Sequence, residues 1–188
     1  MNKNLSENSR FKGLKIAITG ANGSLGKSLI EVLKEKGAYV VGLTHNKKNI
    51  SNFHGNAPDD WIFWTCGKEE LLSNCLSNVD ILILNHGFNP KGMINPKEIN
   101  KALEINSLSH WRLIEMFEDL AISENNLNKA YSKEIWINTS EAEIQIAFSP
   151  VYEITKRLIG ELVSLKKSKL LIDQSNSLII KKLILGPF

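Results

Sequence analysis

Three glycines at the junction between a strand-like and a helix-like pattern constrain the fold of this chain more than any other feature. Residues 15–19 (KIAIT) form a short apolar run, and residues 23–36 carry apolar side chains at nearly helical spacing. Gly20, Gly23 and Gly26 stand at the junction. There the first glycine takes a tight turn, the second admits a ligand close to the backbone, and the third lets the helix pack on the strand. The pattern predicts a strand–turn–helix unit that binds phosphate groups at the helix N-terminus.

The rest of the chain alternates between the same two patterns. Further apolar runs of strand length cover residues 38–44, 61–65, 80–84, 134–139 and 178–185. Helical patterns cover residues 69–77, 96–120 and 149–166. Strands that are apolar throughout are typical of a parallel sheet covered on both faces. We predict an α/β fold, a Rossmann-type doubly wound parallel sheet of about six strands that is C-terminally short, over residues 12–188, after a flexible tail at residues 1–11.

Length, charge and cysteine content narrow the class of protein. A chain of 188 residues has room for about one domain, and its net charge of +3 is spread without a basic stripe, which argues against nucleic-acid binding. No apolar run is long enough to cross a bilayer, and the polar N-terminus lacks the apolar core of a secretory signal. The two cysteines form no CxxC pair, so we expect reduced thiols, no metal site and a cytoplasmic location.

Residues just after each predicted strand are the candidates for ligand binding, because parallel sheets bind ligands at the carboxyl ends of their strands. The glycine turn is expected to hold the pyrophosphate of a dinucleotide, since it lacks the GxxxxGK[ST] pattern of ATP-binding loops. Cofactor contacts are predicted at Gly20, Asn22, Gly23, Ser24, Leu25 and Gly26 in the first turn, at Thr44, His45 and Asn46 after the second strand, at Cys66 after the third, and at Asn85, His86 and Gly87 after the fourth.

The end of the second predicted strand bears on the choice between NAD and NADP. A carboxylate there would bind the ribose hydroxyls of NAD, but residues 43–48 read LTHNKK and contain none. Thr44 and Asn46 can donate hydrogen bonds to a phosphate, and a lysine can supply positive charge. We expect a preference for NADP, with NAD as the other candidate; the alternative is that Lys47 and Lys48 belong only to a solvated loop.

Tyr152 and Lys156 are the strongest candidates for acid–base chemistry. Four residues apart on a predicted helix, they share one face, and the ammonium is expected to lower the tyrosine pKa from its ordinary value of about 10. The tyrosine hydroxyl would then exchange a proton with a carbonyl or alcohol oxygen. Ser140, at the end of the fifth predicted strand, can hydrogen-bond the same oxygen. Asn106 is unfavourable in the middle of a helix, which indicates a polar task there.

Together these segments resemble the short-chain dehydrogenase/reductase family over about residues 12–188. The resemblance rests on TGANGSLG, LNHG, the helical Asn106, Ser140 and YEITK. Residues 136–160 and 183–188 look most like the reductase-type domain of cyanobacterial sterol desaturase/short-chain dehydrogenase proteins. The resemblance implies that Tyr152 is the acid–base group and Lys156 its partner and a ribose ligand. It also implies that Ser140 positions the substrate, that Asn106 supports a proton relay, and that the chain forms a homodimer or homotetramer.

Several features depart from the pattern of that family. The G-xx-G-xx-G spacing is that of its extended and atypical branches, whereas the catalytic residues look like those of the main branch. His86 replaces the usual alanine and is expected to line the cofactor or to pack, not to act as a base. Gly186 and Pro187 invert the usual proline–glycine pair, which implies that Pro187 lies near the nicotinamide. The sequence ends at Phe188, before the family's substrate-covering helix pair and seventh strand, so we expect an open pocket or a fragment.

The leading hypothesis is an NADP(H)-dependent oxidoreductase that transfers hydride to or from a small carbonyl or alcohol substrate. A second hypothesis is a non-catalytic module that binds NAD(P) or a protein partner. The third is an epimerase or dehydratase of the extended branch, which the glycine spacing favours slightly. Glu141 and Glu143 are interpreted as solvated loop carboxylates; the alternative is that they select a polar or cationic substrate.

Overall fold

A parallel six-stranded sheet forms the centre of the molecule. The computed structural model describes residues 9–45, 57–125, 132–173 and 178–186. Its strands are β1 (Lys15–Thr19), β2 (Tyr39–Thr44), β3 (Asp60–Phe63), β4 (Ile81–Leu84), β5 (Lys133–Ser140) and β6 (Leu178–Leu185). They lie in the order β3-β2-β1-β4-β5-β6, with every described pair parallel. This is the strand order of doubly wound dinucleotide-binding folds, so the predicted Rossmann-type sheet is confirmed.

The helices follow the predicted pattern, with one interruption. The first is α1 (Ser24–Glu35), and a short 3₁₀ turn (Glu69–Leu72) leads into α2 (Ser73–Leu76). The long helix predicted over residues 96–120 is α3 (Pro96–Leu103), a π turn (Glu104–Leu108) and α4 (Ser109–Asn125). The last, α5 (Pro150–Ile172), continues beyond the predicted end at residue 166.

The two faces of the sheet are covered unequally in the described part of the chain. On one face, Leu113 and Phe117 of α4 and Val163 of α5 pack on the strands in a large apolar cluster. On the other face, α1 contributes Ile30 and Leu33 to a smaller cluster that includes Ile16 and Ile18 of β1. Because β1 and β4 are adjacent but their connections run in opposite directions, a crevice opens at the carboxyl ends of these two strands.

Two further findings concern the segment before β1 and the question of a membrane-spanning helix. Residues 1–8 of the predicted tail lie outside the described residues, but Arg10 and Phe11 do contact the sheet. Arg10 forms an ion pair with Glu134, and the ring of Phe11 lies edge-on to Trp136 with centroids 5.8 Å apart. No helix within the described residues is long and apolar enough to cross a membrane.

Candidate active site and cofactor cleft

The glycine turn adopts the conformation that its sequence predicts. Gly20 has a φ of +65°, and a Cβ there would lie 2.9 Å from the Cα of His86. A Cβ on Gly26 would lie 2.4 Å from the carbonyl oxygen of Gly20, so α1 packs on the turn only without that side chain. Gly23 is the N-cap of α1, with no side-chain capping bond and no acidic residue in the first turn. The positive end of this helix is therefore open to an anionic ligand.

A cleft of about 590 Å³ extends from this turn across the carboxyl ends of β1, β2 and β4; we call it the glycine-turn cleft. Its volume is within the usual range for cofactor sites. Eleven predicted cofactor residues line it: Gly20, Asn22, Gly23, Ser24, Leu25, Thr44, His45, Cys66, Asn85, His86 and Gly87. Gly26 is buried behind the turn, whereas Asn46 and Pro187 lie outside the described residues.

Other lining residues were missed by the sequence analysis. Trp64 and Thr65 follow β3 directly, beside the predicted Cys66, so their position after a strand was a usable signal. Lys101 and Ile105 reach the cleft from the helical segment after residue 96, where no local pattern distinguishes them from surface or core residues.

The charge of the glycine-turn cleft fits a nucleotide cofactor. The described lining residues include Lys101 and no carboxylate. At the end of β2, the side-chain amide of Asn22 donates a hydrogen bond of 2.9 Å to the hydroxyl of Thr44, which orders the rim between the glycine turn and that strand. A Rossmann crevice with an uncapped helix N-terminus and no negative lining group fits a dinucleotide with its phosphates.

His86 lies half-buried in the wall of the glycine-turn cleft as a neutral imidazole. The hydroxyl of Thr19 accepts backbone hydrogen bonds from Asn85 (2.8 Å) and His86 (3.3 Å), and two acceptors lie within reach of its one proton, Nδ1 of His86 at 2.8 Å and the carbonyl oxygen of Ile83 at 3.3 Å. Nε2 lies 3.2 Å from the hydroxyl of Ser109, whose proton is donated to Glu69 at 2.7 Å, so Nε2 carries the ring proton. Burial, and next the positive charge of Lys156, lowers the pKa of His86 to about 3.

An ion pair between the half-exposed Arg112 and the buried Glu69 is linked to this histidine through Ser109. Although burial opposes its ionisation, hydrogen bonds from Arg112 and Ser109 hold the pKa of Glu69 below its ordinary value. Arg112 Nε donates to Glu69 at 2.6 Å, and Glu104 also contacts this guanidinium. The sequence analysis did not find this network, because its members come from separate helical elements.

Asn106 holds the loop that follows β4. It lies in the π turn, fully buried, where Oδ1 accepts from the backbone N–H of Phe88 at 2.7 Å. Its Nδ2 donates to the carbonyl of Phe88 at 2.8 Å and to the hydroxyl of Thr155 on α5 at 3.0 Å. The sequence predicts a polar task for this mid-helix asparagine. Its hydrogen bonds join the loop after β4, which we call the β4 loop, to α5, and we call this set of bonds the clamp.

Tyr152, Ser140 and Lys156 come together beside this clamp. Tyr152 lies beside Ser140, which ends β5. The ammonium nitrogen of Lys156 lies 5.6 Å from the centroid of the Tyr152 ring. A Cβ added to Gly87, which lines the glycine-turn cleft, would lie 3.9 Å from the same nitrogen. Lys156 therefore lies between the tyrosine and the glycine-turn cleft.

The expected effect of Lys156 on the tyrosine is wrong for this structure. Burial raises the pKa of Tyr152 above its ordinary value, and the hydrogen bond from Ser140 only partly offsets this. Burial also lowers the pKa of Lys156 to about 8, while the negative charge of Glu143 acts in the opposite direction. The physical reason is that one apolar environment disfavours both the phenolate and the ammonium. Tyr152 is therefore a protonated acid at neutral pH.

A second cavity, of about 600 Å³, lies on the other side of Tyr152; we call it the tyrosine cavity. Ser140 and Tyr152 line it together with Asn89 and Lys91 of the β4 loop and Glu141 of the turn after β5. Lys91 has a φ of +53°, a left-handed conformation that is uncommon outside glycine. A reactive oxygen placed in this cavity would have the Tyr152 and Ser140 hydroxyls beside it.

Glu141 and Glu143 are not the solvated loop residues that the sequence analysis favoured. Glu141 is half-buried and lines the tyrosine cavity. The side chain of Glu143 is only 9% exposed and forms an ion pair with Lys182 of β6. Its carboxyl group packs against Gly160 of α5, where a Cβ would lie 2.3 Å from the carboxyl carbon. Folding of the 3₁₀ turn (Glu141–Glu143) against α5 buries it.

Comparisons with known proteins agree with this geometry. The model of the NAD dependent epimerase/dehydratase family matches residues 16–163, a span that includes the glycine turn, Ser140, Tyr152 and Lys156. Monoglucosyldiacylglycerol epimerase from Synechocystis is 39% identical over 180 residues, which cover 95% of this chain and 42% of that protein. CDP-abequose synthase from Salmonella typhimurium is 28% identical over 156 residues, 78% of this chain and 46% of that protein. The chain spans less than half the length of each.

Solved structures establish the fold. A short chain dehydrogenase from Burkholderia cenocepacia in complex with NADP superimposes with a TM-score of 0.77 at 17% identity, covering 95% of this chain and 74% of that one. An aldohexose dehydrogenase from Thermoplasma acidophilum gives a TM-score of 0.72 at 17% identity, with 95% and 68% covered. These similarities show that the fold is shared; the resemblance to sterol desaturase fusions stays a prediction.

Proposed function

Because this chain belongs to the NAD-dependent epimerase/dehydratase family, we propose that it is an NADP(H)-dependent enzyme that moves a hydride to or from a hydroxyl-bearing carbon, with Tyr152 as the acid–base group. The observation that carries the proposal is that Tyr152 and Ser140 line the tyrosine cavity together while Lys156 reaches toward the glycine-turn cleft. A bound nicotinamide supplies the hydride donor or acceptor.

Residues of this chain transfer the proton, hydrogen-bond the substrate oxygen and hold the loop beside the cofactor cleft. In the direction of reduction, the protonated Tyr152 donates its hydroxyl proton to the carbonyl oxygen, and Ser140 hydrogen-bonds the same oxygen. In the direction of oxidation, the deprotonated form of Tyr152 accepts the proton from the alcohol; because burial raises the pKa of Tyr152, this direction requires a higher pH than reduction. Asn106 keeps Phe88, and with it the loop of Asn85, His86 and Gly87, at the edge of the glycine-turn cleft.

The preference for NADP over NAD rests on the end of β2. Thr44 and His45 line the glycine-turn cleft at that point, and no carboxylate is present among its described lining residues. A carboxylate would repel the 2′-phosphate of NADP, whereas these side chains can donate hydrogen bonds to it.

Epimerisation is the second candidate reaction, favoured by the glycine spacing and by the relative that is named an epimerase. In such a reaction Tyr152 removes the hydroxyl proton as hydride leaves the carbon, and it returns the proton after hydride comes back on the opposite face. The cofactor ends in its starting oxidation state. The substrate class would then be a glycoside, since the named substrate of that relative is a glucosyl lipid.

The replacement Tyr152→Phe tests both candidates. Turnover should fall by about 10²–10⁴-fold, because the proton donor is lost, while NADPH binding, followed by fluorescence titration, should change less than twofold. Tyr39→Phe is the matched control, since Tyr39 is exposed at the start of β2. Undiminished turnover in Tyr152→Phe would refute the proposed mechanism. One NADPH consumed per product identifies a reductase, and product formation without net consumption identifies an epimerase.

A further inference from the structure

One buried carboxylate, that of Glu69, joins the two loops that follow β3 and β4. The loop after β3 contributes Trp64 to the wall of the glycine-turn cleft, and the backbone N–H of Gly67 in that loop donates to Glu69 Oε1 at 2.9 Å. The same oxygen accepts a hydrogen bond of 2.7 Å from the hydroxyl of Ser109. That hydroxyl lies 3.2 Å from Nε2 of His86 in the β4 loop. Glu69 therefore holds two parts of the cleft wall in register with each other.

The negative charge of Glu69 sets the direction of these hydrogen bonds. Glu69 is only 3% exposed, and Arg112 Nε donates to its second oxygen at 2.6 Å. An ionised carboxylate can only accept, so the hydroxyl of Ser109 gives its proton to Glu69 and accepts one from Nε2 of His86. Nδ1 of His86, which lies 2.8 Å from the hydroxyl of Thr19, is then the unprotonated ring nitrogen.

The neighbouring histidine has the opposite tautomer. The rings of His86 and His110 are stacked with centroids 4.0 Å apart, and the ring of Trp64 lies edge-on to His86 at 5.3 Å. Nδ1 of His110 lies 3.0 Å from the carbonyl oxygen of Ile105, which can only accept, so the proton of this ring is on Nδ1. The tautomer of each ring is thus set by an acceptor outside the stacked pair.

We propose that Glu69 is a positioning residue of the cofactor site, which acts through Ser109 to fix His86 as the Nε2–H tautomer and to hold its ring in the cleft wall. The inference rests on the proposed function, since it takes the occupant of the glycine-turn cleft to be a dinucleotide. A buried ion pair adds little net stability compared with an apolar pair of similar volume. The effect of the Glu69 charge is therefore the orientation that it imposes on its neighbours.

Nitrogen-15 NMR of the histidine side chains tests the tautomers in the cofactor-free protein at pH 7. Both rings are neutral there, because burial lowers both pKa values, and protonated and unprotonated ring nitrogens resonate far apart. The wild-type protein should show His86 protonated at Nε2 and His110 at Nδ1. In Glu69→Met the hydroxyl of Ser109 is free to donate to Nε2, so His86 should shift toward the Nδ1–H form while His110 keeps its tautomer. Glu70→Met, at an exposed position, should change neither ring.

Fluorescence titration with NADPH measures the consequence for the cofactor site. Glu69→Met and Ser109→Ala each break the connection to His86, and each should weaken NADPH binding by about 2–10-fold, the factor expected for one ordinary hydrogen bond. Glu70→Met should change it by less than about twofold. Ser109→Ala keeps the ion pair of Glu69 with Arg112, so it gives a second measurement with a smaller effect on folding.

Three results would overturn the inference. They are protonation of His86 at Nδ1 in the wild-type protein, an unchanged tautomer in Glu69→Met, and unchanged NADPH affinity in both variants. The first needs no variant, and the first two need no cofactor. The proposed function fails separately, by full turnover in Tyr152→Phe or by absence of NADPH binding to the wild-type protein, and neither of those results changes the tautomer spectrum.

Discussion

Burial of Lys156 should lower the free energy of unfolding of the protein by a measurable amount. Lys156 lies on α5 and is only 4% exposed, and burial lowers its pKa from 10.5 to about 8. In the unfolded chain the same lysine titrates at its ordinary value. The difference corresponds to about 3 kcal/mol of lost folding free energy at pH 7, where both states carry the proton.

The replacement Lys156→Met removes the charge while keeping an unbranched side chain of similar length. We therefore expect the cofactor-free variant to be more stable than the wild type by up to about 3 kcal/mol at pH 7, or roughly 6–12 °C in Tm for a chain of this size. Between about pH 8 and 10.5 the unfolded lysine binds a proton that the folded one has released. Wild-type stability rises with pH in that window, so the advantage of the variant should shrink there.

Urea unfolding at pH 7 and pH 10 measures this difference directly. Lys167→Met, at an exposed position of the same helix, is the control and should change stability little at either pH. A Lys156→Met variant that is less stable than the wild type at pH 7, or equally stabilised at both pH values, would refute the reasoning. Turnover should fall in this variant, since the ammonium that lies between Tyr152 and the glycine-turn cleft is gone; the wild-type site then keeps activity at the expense of stability.

Three further predictions concern the glycine turn, the clamp and the cofactor preference. Gly26→Ala should lose roughly 1–3 kcal/mol in urea unfolding and weaken NADPH binding, because its Cβ would collide with the Gly20 carbonyl; Gly186→Ala, which meets open space, should do neither. Asn106→Leu should lose roughly 2–4 kcal/mol, because two backbone groups of the β4 loop lose their partner; unchanged unfolding would contradict the clamp. His45→Asp should shift the NADPH-to-NADH affinity ratio at least about tenfold toward NADH in fluorescence titrations, and an unchanged ratio would count against the assignment of that position.

The architecture could be predicted because its signals are local. β1 and β6 have the bounds that their apolar runs predict, since each run ends at residues that break the apolar pattern. The glycine turn was equally readable, because a positive φ and a close helix–strand contact each require a particular residue. The asparagine in the predicted long helix indicated a polar task, which its hydrogen bonds to Phe88 and Thr155 bear out; the π turn in which it lies was not predicted.

Some local predictions failed where the environment of a side chain decided its chemistry. A tyrosine and a lysine one helical turn apart predict a lowered tyrosine pKa, but the packing around α5 buries both groups and reverses the direction. Acidic residues after a strand suggest a solvated loop, but Glu143 is turned inward against Gly160 and paired with Lys182. Solvation depends on neighbours that are distant in the chain.

The sequence by itself determined the order of strands and helices, the glycine turn and the identity of the candidate catalytic residues, because each depends on residue type and spacing within about a dozen positions. Only the tertiary structure decided what lies between these elements. It joined His86 to Glu69 through Ser109, placed Lys156 between Tyr152 and the glycine-turn cleft, and brought Ser140 and Tyr152 together in the wall of the tyrosine cavity. The physical reason is that burial, protonation and cavity shape arise where separate elements meet, and no single segment of the chain contains that information.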